Sequence, residues 1–398
     1  MVNAGYTVIL TVFTCCVCWV KRYLDEAKVW AGVQRIVTSY GSYLMKFAPS
    51  LFVTAIISLI STNAFAQQMY RLSVVPPLAG FKDNYATSIN ELGDVSGYGV
   101  NYTPAMSQLG FIYRGGVTTS LGKLSAKSGF SIANYVSPSG QVIGVSDTGD
   151  GRPQGMTKIG GKVYNIFPNN GGNTHALRSD AQGRIYGYFF RRGGVSWQGA
   201  MWTPNPKKAG TYTETKLGAP GNPWSFNSVG QGTGYATGAR QSAAFWNNTG
   251  VRAIQILPTK PEFTSSLGFS ISDIGDIVGV GYPAFSAQPL LWTASTGYTL
   301  TELPVLPGDN FGVASVINNA GTIIGTSAYT DPVTQEVVGG QYVVWTNGIP
   351  TPLTALLDPI SSSGWKIMGI LGINNKGQVA ANASDGTVVR AVILTPIL

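Results

Sequence analysis

The stretch Phe311–Gly348 reads FGVASVINNAGTIIGTSAYTDPVTQEVVGGQYVVWTNG. It parses into short extended segments separated by turn residues. Val313–Ile317 is small and apolar, as a buried strand is. Asn318–Gly321 is a turn, and Thr322–Ser327 is a second strand with Gly325 inside it. Tyr342–Thr346 is a third strand ending on Trp345. Asn347-Gly348 reverses the chain again, and Thr351–Leu356 is expected as a fourth strand.

The same unit recurs about seven times. Its clearest anchor is the turn between the first two strands, which ends on Gly93, Gly140, Gly183, Gly230, Gly275, Gly321 and Gly377. Successive glycines are 47, 43, 47, 45, 46 and 56 residues apart. Three residues before each stands Asn90, Ser137, Asp180, Asn227, Ser272, Asn318 or Asn374. Such side chains accept a bond from a nearby backbone N–H and close the turn, while the Gly takes a positive φ. Four residues further on comes a second Gly, at 97, 144, 187, 234, 279 and 325, with Ala381 in the last copy. A Gly inside a strand marks a bulge or a close backbone approach.

The third strand ends on Tyr113, Trp202, Trp246, Trp292 and Trp345, with Lys158 and Leu394 in the other two copies. An aromatic recurring at one place in the unit fills a structural slot in preference to forming a row of sugar platforms. A period near 45 residues with three or four strands per unit predicts an all-β, seven-bladed β-propeller, with six blades as the alternative. The last copy lacks a fourth strand. Tyr70–Leu78, YRLSVVPPL, resembles the fourth-strand segment Tyr298–Leu306, YTLTELPVL, and is expected to complete the last blade.

The motif apolar-Asn-x-x-Gly-x-apolar-x-Gly, followed by a strand ending in Trp, resembles the HAF-repeat family of bacterial extracellular proteins. The resemblance spans residues 70–398, with Ile317–Gly325 and Phe226–Gly234 its best copies. Ala243-Ala244-Phe245-Trp246 and Gly199-Ala200-Met201-Trp202 stand where the family has His-Ala-Phe-x-Trp. The resemblance implies secretion and a repeat fold, and brings no catalytic residue with it.

The N-terminal part reads as separate from the repeats. Met45-Lys46, the apolar run Leu51–Ile60 and Ala64-Phe65-Ala66 make a signal peptide over 45–66, with cleavage after Ala66. Residues 1–44 fit poorly before it and are expected to reflect an upstream start, leaving 67–398 as one domain. Cys15, Cys16 and Cys18 all precede the cleavage point, so the mature chain has no disulfide or cysteine metal site. It carries 21 Lys and Arg against 16 Asp and Glu, scattered, which gives no footprint for nucleic acid. A secreted or periplasmic monomer without a cofactor or a membrane span in the mature chain is expected.

Chemistry is sparse. His175 is the sole histidine, too few for a multi-histidine metal site. Asp147 and Asp150 in SDTGDG could offer oxygen ligands to Ca²⁺, but the spacing is not that of a calcium loop. The least repeat-like segment is Tyr188–Trp197, YFFRRGGVSW. Its Tyr188, Phe190, Arg191, Arg192 and Trp197 are the candidate ligand-binding residues, since aromatics beside arginine can stack on a sugar or bind an anion. The excursions Thr203–Gly221 and Tyr329–Gly340 are weaker candidates. The favoured function is a non-enzymatic binding scaffold for glycan or cell-surface protein. The alternative is a polysaccharide hydrolase or lyase with carboxylates in the central channel.

Overall fold

The computed structural model describes residues 68–102, 106–168, 172–191, 197–218, 221–247, 254–284 and 286–397. The expected signal peptide and the extension before it lie outside the described residues, as does Arg192.

Among the described residues, twenty-eight strands form seven four-stranded antiparallel sheets. The innermost strands are β2 (Asp83–Ile89), β6 (Ser131–Val136), β10 (Asn173–Ser179), β14 (Gly221–Phe226), β18 (Ser265–Ile271), β22 (Phe311–Ile317) and β26 (Lys366–Ile373). In the first six blades each is followed outward by the next three strands in sequence, as in β22, β23 (Ile323–Thr330), β24 (Val337–Thr346) and β25 (Ile349–Pro352). The protein is a seven-bladed β-propeller. No helix among the described residues is long and apolar enough to cross a membrane.

The seventh blade contains both ends of the domain. Its outer strand is β1 (Met69–Val74), paired antiparallel with β28 (Val389–Ile397) from Met69↔Ile397 to Val74↔Val392. Beyond β1, Val75 N–H donates to Ala391 O, as Leu303 N–H donates to Pro289 O in the fifth blade. Tyr70 and Leu72 are buried against the sixth blade, Val75 and Leu78 against the first. Closure thus seals two inter-blade cores.

The repeat turn is built as its residues demand. Asn318 Oδ1 accepts from Ala320 N–H at 3.1 Å and Thr322 N–H at 3.0 Å, and Gly321 has φ +75°. Asn90 with Gly93, Asn227 with Gly230, and Asn374 with Gly377 repeat the arrangement. The amide Nδ2 then reaches the next blade: Asn227 to Ser272 O, Asn318 to Asn374 O, and Asn374 to Asn90 O.

The second Gly has a single cause. In six blades the innermost strand carries a bulge, and the Gly of the next strand pairs with the residue just before it. A Cβ on Gly325 would lie 1.9 Å from Val313 O, and one on Gly187 1.9 Å from His175 O. Only Gly allows the backbones so close. The seventh blade has two register shifts in β26, and there Ala381 is accommodated.

Trp202, Trp246, Trp292 and Trp345 are fully buried. Each packs against the preceding blade, so they fill inter-blade cores and present no platform. Trp292 and Trp345 also donate their Nε1–H to Pro258 O and Pro304 O of the preceding blade. Lys158 holds the same register position and sends its Nζ back to Ser120 O at 2.8 Å.

One expected strand is corrected. The fourth strand of the sixth blade is β25, not Thr351–Leu356, because Asn347 and Gly348 both take positive φ and form a two-residue loop. That loop brings Ile349 opposite Thr346, and Leu353–Leu356 becomes a 3₁₀ turn.

Candidate functional site

One bulge in each blade extrudes the residue six positions before the turn glycine: Thr87, Asn134, Leu177, Trp224, Phe269, Ser315 and Leu371. All seven line one cavity of about 350 Å³ at the end of the channel that carries the repeat turns. That volume lies in the range of small-ligand sites, about 300–1,000 Å³.

The polar bulge residues partly serve the fold. Asn134 Nδ2 donates to Ala176 O of the next blade at 2.7 Å, and Thr87 Oγ1 to Ala133 O at 2.5 Å. Trp224 and Phe269 instead lie parallel, with ring centroids 5.5 Å apart and 12° between planes. Tyr235 meets Trp224 edge-on at 5.2 Å.

The rim is set by the second residue of each repeat turn. Ser228 N–H donates to Asp273 Oδ1 at 2.7 Å, Asp273 N–H to Asn319 Oδ1 at 2.7 Å, and Asn319 N–H to Asn375 Oδ1 at 2.9 Å. Asn375 N–H donates to Glu91 Oε2 at 3.0 Å. This belt runs from the fourth blade round to the first. It stops where the equivalent residues are Pro138 and Ala181, whose side chains accept no hydrogen bond. In that sector stand Tyr135 and Arg178, with the guanidinium 4.7 Å from the ring centroid. Arg178 Nε is buried without a hydrogen-bond partner.

The electrostatics follow the contacts. Burial pushes the Asp273 carboxyl up, but the Ser228 bonds, the Arg178 charge and the Asn319 amide outweigh it and hold it below the ordinary carboxylate value. Burial raises the Tyr135 hydroxyl, with Arg178 acting the other way.

The expected hairpin residues lie elsewhere: Tyr188, Phe190, Arg191 and Trp197 are not among the cavity-lining residues. Tyr188 stacks on His175 at 4.8 Å, and Trp197 meets His175, Tyr188 and Phe190 at 5.7, 5.1 and 5.4 Å. Burial lowers the His175 pKa to about 4. Arg191 is separate from that cluster: it pairs with Glu214 at 2.9 Å and lies over Phe167 and Phe189. Asp147 accepts backbone N–H bonds from Phe130, Gly149 and Gly151, and Asp150 pairs with Arg152. Among the described residues no group of three or more His, Cys, Asp or Glu could hold a metal ion.

No family model matches the chain, and no curated protein does. Solved structures do. The β-propeller domain of the Trilobed protease from Pyrococcus furiosus is similar at 11% identity and a TM-score of 0.53, over 79% of this chain and 96% of that one. That likeness is one of fold. The domain is described as having an open velcro topology, whereas here β1 and β28 pair. The Aleuria aurantia lectin AAL in complex with Fucalpha1-6GlcNAc aligns at 13% identity and a TM-score of 0.34, over 68% of this chain and 96% of that one.

Trp224, Phe269, Arg178 and Asp273 were not singled out by sequence reasoning as site residues. A signal was present: each bulge residue stands six positions before its turn glycine. Aligned there, the seven copies carry Thr, Asn, Leu, Trp, Phe, Ser and Leu.

Proposed function

We propose that the protein is an exported, non-catalytic binding propeller that takes a glycan at the turn-bearing mouth of its channel. The observation that carries this is the stacked Trp224–Phe269 pair in one cavity with Asn134, Asn319, Asn375, Asp273 and Glu91. Sugars offer an apolar C–H face to an aromatic ring and a fringe of hydroxyls to amides and carboxylates. Export to the periplasm or beyond rests on the signal peptide at 45–66 and the cysteine-free chain after it. Assignment to the HAF-repeat family rests on the turn motif.

Glue between blades is the first role of the rim carboxylates, since both accept backbone N–H bonds. A glycosidase needs one carboxyl that still carries a proton, and Asp273 is held the other way. The presence of Glu91 and Asp273 on one cavity keeps hydrolysis as the second reading.

A glycan array with the purified protein and its Trp224→Ala variant tests the proposal. Selective binding by the parent, lost in the variant, supports it. Binding that survives Trp224→Ala but is lost when Arg191 and Arg192 are both changed to Ala moves the site to the third-blade hairpin. Release of new reducing ends from a bound glycan favours the hydrolase. No binding to any glycan overturns the glycan reading.

A further inference from the structure

We propose that the sugar bound at the channel mouth is a uronic acid, with its carboxylate paired to Arg178; this rests on the glycan reading above. Arg178 is a fixed cation on the cavity wall with no ion-pair partner among the described residues. The Tyr135 ring supports one face of the guanidinium at 4.7 Å. Its Nε is buried and unmatched, and a desolvated donor without an acceptor is costly to keep. A planar carboxylate accepts two parallel N–H bonds from such a fork.

The arrangement around Arg178 decides which anion fits. The rim belt supplies acceptors from the fifth blade round to the first and none at Pro138 and Ala181. Those two positions belong to the second and third blades, the sector of Tyr135 and Arg178. An acidic group entering there meets the cation first, while Asp273, Asn319, Asn375 and Glu91 across the ring face its hydroxyls. Among the described residues, Arg178 is the one basic residue of the lining, against two carboxylates. The carboxylates across the ring repel a dianion such as a phosphate ester about twice as strongly as a monoanion, so a single negative charge directed at Arg178 is the better fit. A sulfate half-ester is also a monoanion and also presents two oxygens to the fork, so a sulfated glycan is the competitor that the test must include. The Trp224–Phe269 pair, on the fourth and fifth blades, adjoins the Arg178 sector on the belt side, where it can carry the apolar face of the ring.

Titration calorimetry of the purified protein decides this with four ligands: oligogalacturonate, oligomannuronate, the methyl ester of the binding uronate, and a sulfated galactan. The expected result is binding of a uronate oligomer at least about tenfold tighter than its methyl ester. Arg178→Gln is expected to remove that difference, and Arg178→Lys to restore part of it. Because the acid-to-ester comparison uses the unaltered protein, it stands even if a variant misfolds. Equal affinity for acid and ester overturns the inference and leaves the glycan reading intact, as does tighter binding of the sulfated galactan. Binding confined to neutral glycans on the array does the same. Failure to bind any glycan overturns both.

Discussion

Asn374 donates its side-chain amide to the backbone carbonyl of Asn90 at 2.9 Å, joining the last blade to the first across 284 positions of chain. The same side chain closes its own turn through Oδ1, accepting from Lys376 and Gln378. One residue therefore does two separable jobs. Asn374→Ser keeps an acceptor for the turn, as Ser272 does in the fifth blade, and loses the bond to Asn90. We expect a cost of about 1 kcal/mol for Asn374→Ser and about 2 kcal/mol for Asn374→Ala. Urea melts of the two variants check this; equal costs would mean that turn closure contributes nothing.

Gly325→Ala should be among the most damaging small substitutions in the protein. Its Cβ would lie 1.9 Å from Val313 O, so the bulge or the strand pair must open. A loss of about 3 kcal/mol or more is expected. Ala381→Gly, at the equivalent place in the seventh blade, should cost only about 0.5–1 kcal/mol. Paired thermal melts distinguish the two.

Trp345 and Trp224 should behave oppositely. Trp345 is fully buried and bonded to Pro304 O, so Trp345→Ala is expected to cost about 3–5 kcal/mol. Trp224→Ala is expected to lose glycan binding with a clearly smaller drop in melting temperature. Comparable destabilisation by both would argue that Trp224 is core.

Acid should weaken the fold between pH 6.5 and about 4 through His175. Burial lowers its pKa from 6.5 to about 4, so in that interval the unfolded chain binds a proton that the native chain does not. Stability then rises with pH across the window, by on the order of 3 kcal/mol in full. His175→Phe retains an aromatic ring against Tyr188 and should flatten this part of the profile. Chemical denaturation at pH 4.5 and 7 measures it.

Asp273 adds a second, more acidic component. Its folded pKa lies below the ordinary carboxylate value of 3.8. The stability it contributes is present above that value and is lost as pH falls through the lower, folded pKa. Asp273→Asn should be less sensitive to acid below pH 4 than the parent, read from the same denaturation curves.

The architecture was largely legible because its devices are local. Asn318 and Gly321 make their turn within four residues, and Gly325 reports a bulge one strand away. The match of Tyr70–Leu78 to Tyr298–Leu306 located the closure, since both must meet the same slot between blades. The fourth strand was misplaced because Asn347-Gly348 makes a two-residue loop whose tightness depends on both φ values. The cavity was hidden for a different reason. Trp224, Arg178 and Asp273 lie in three consecutive blades and meet only when those blades pack side by side, and repeat analysis rewards what recurs. The hairpin at Tyr188–Trp197 stood out for the converse reason, as an irregular segment, yet much of its aromatic surface is spent on His175.

The pairing of β1 with β28 also sets an order of events. Gln68 finds Ile397 329 positions away, so the first strand of the domain to be synthesised must wait for the last. Contacts this remote in sequence slow folding. Until they form, the outer edge of β28 and the apolar faces of Tyr70, Leu72 and Val75 stay uncovered. A chain released before its final hairpin would thus be a ring with a gap and a loose sticky end, and the period between synthesis and closure is when its open strand edge is exposed to mispairing.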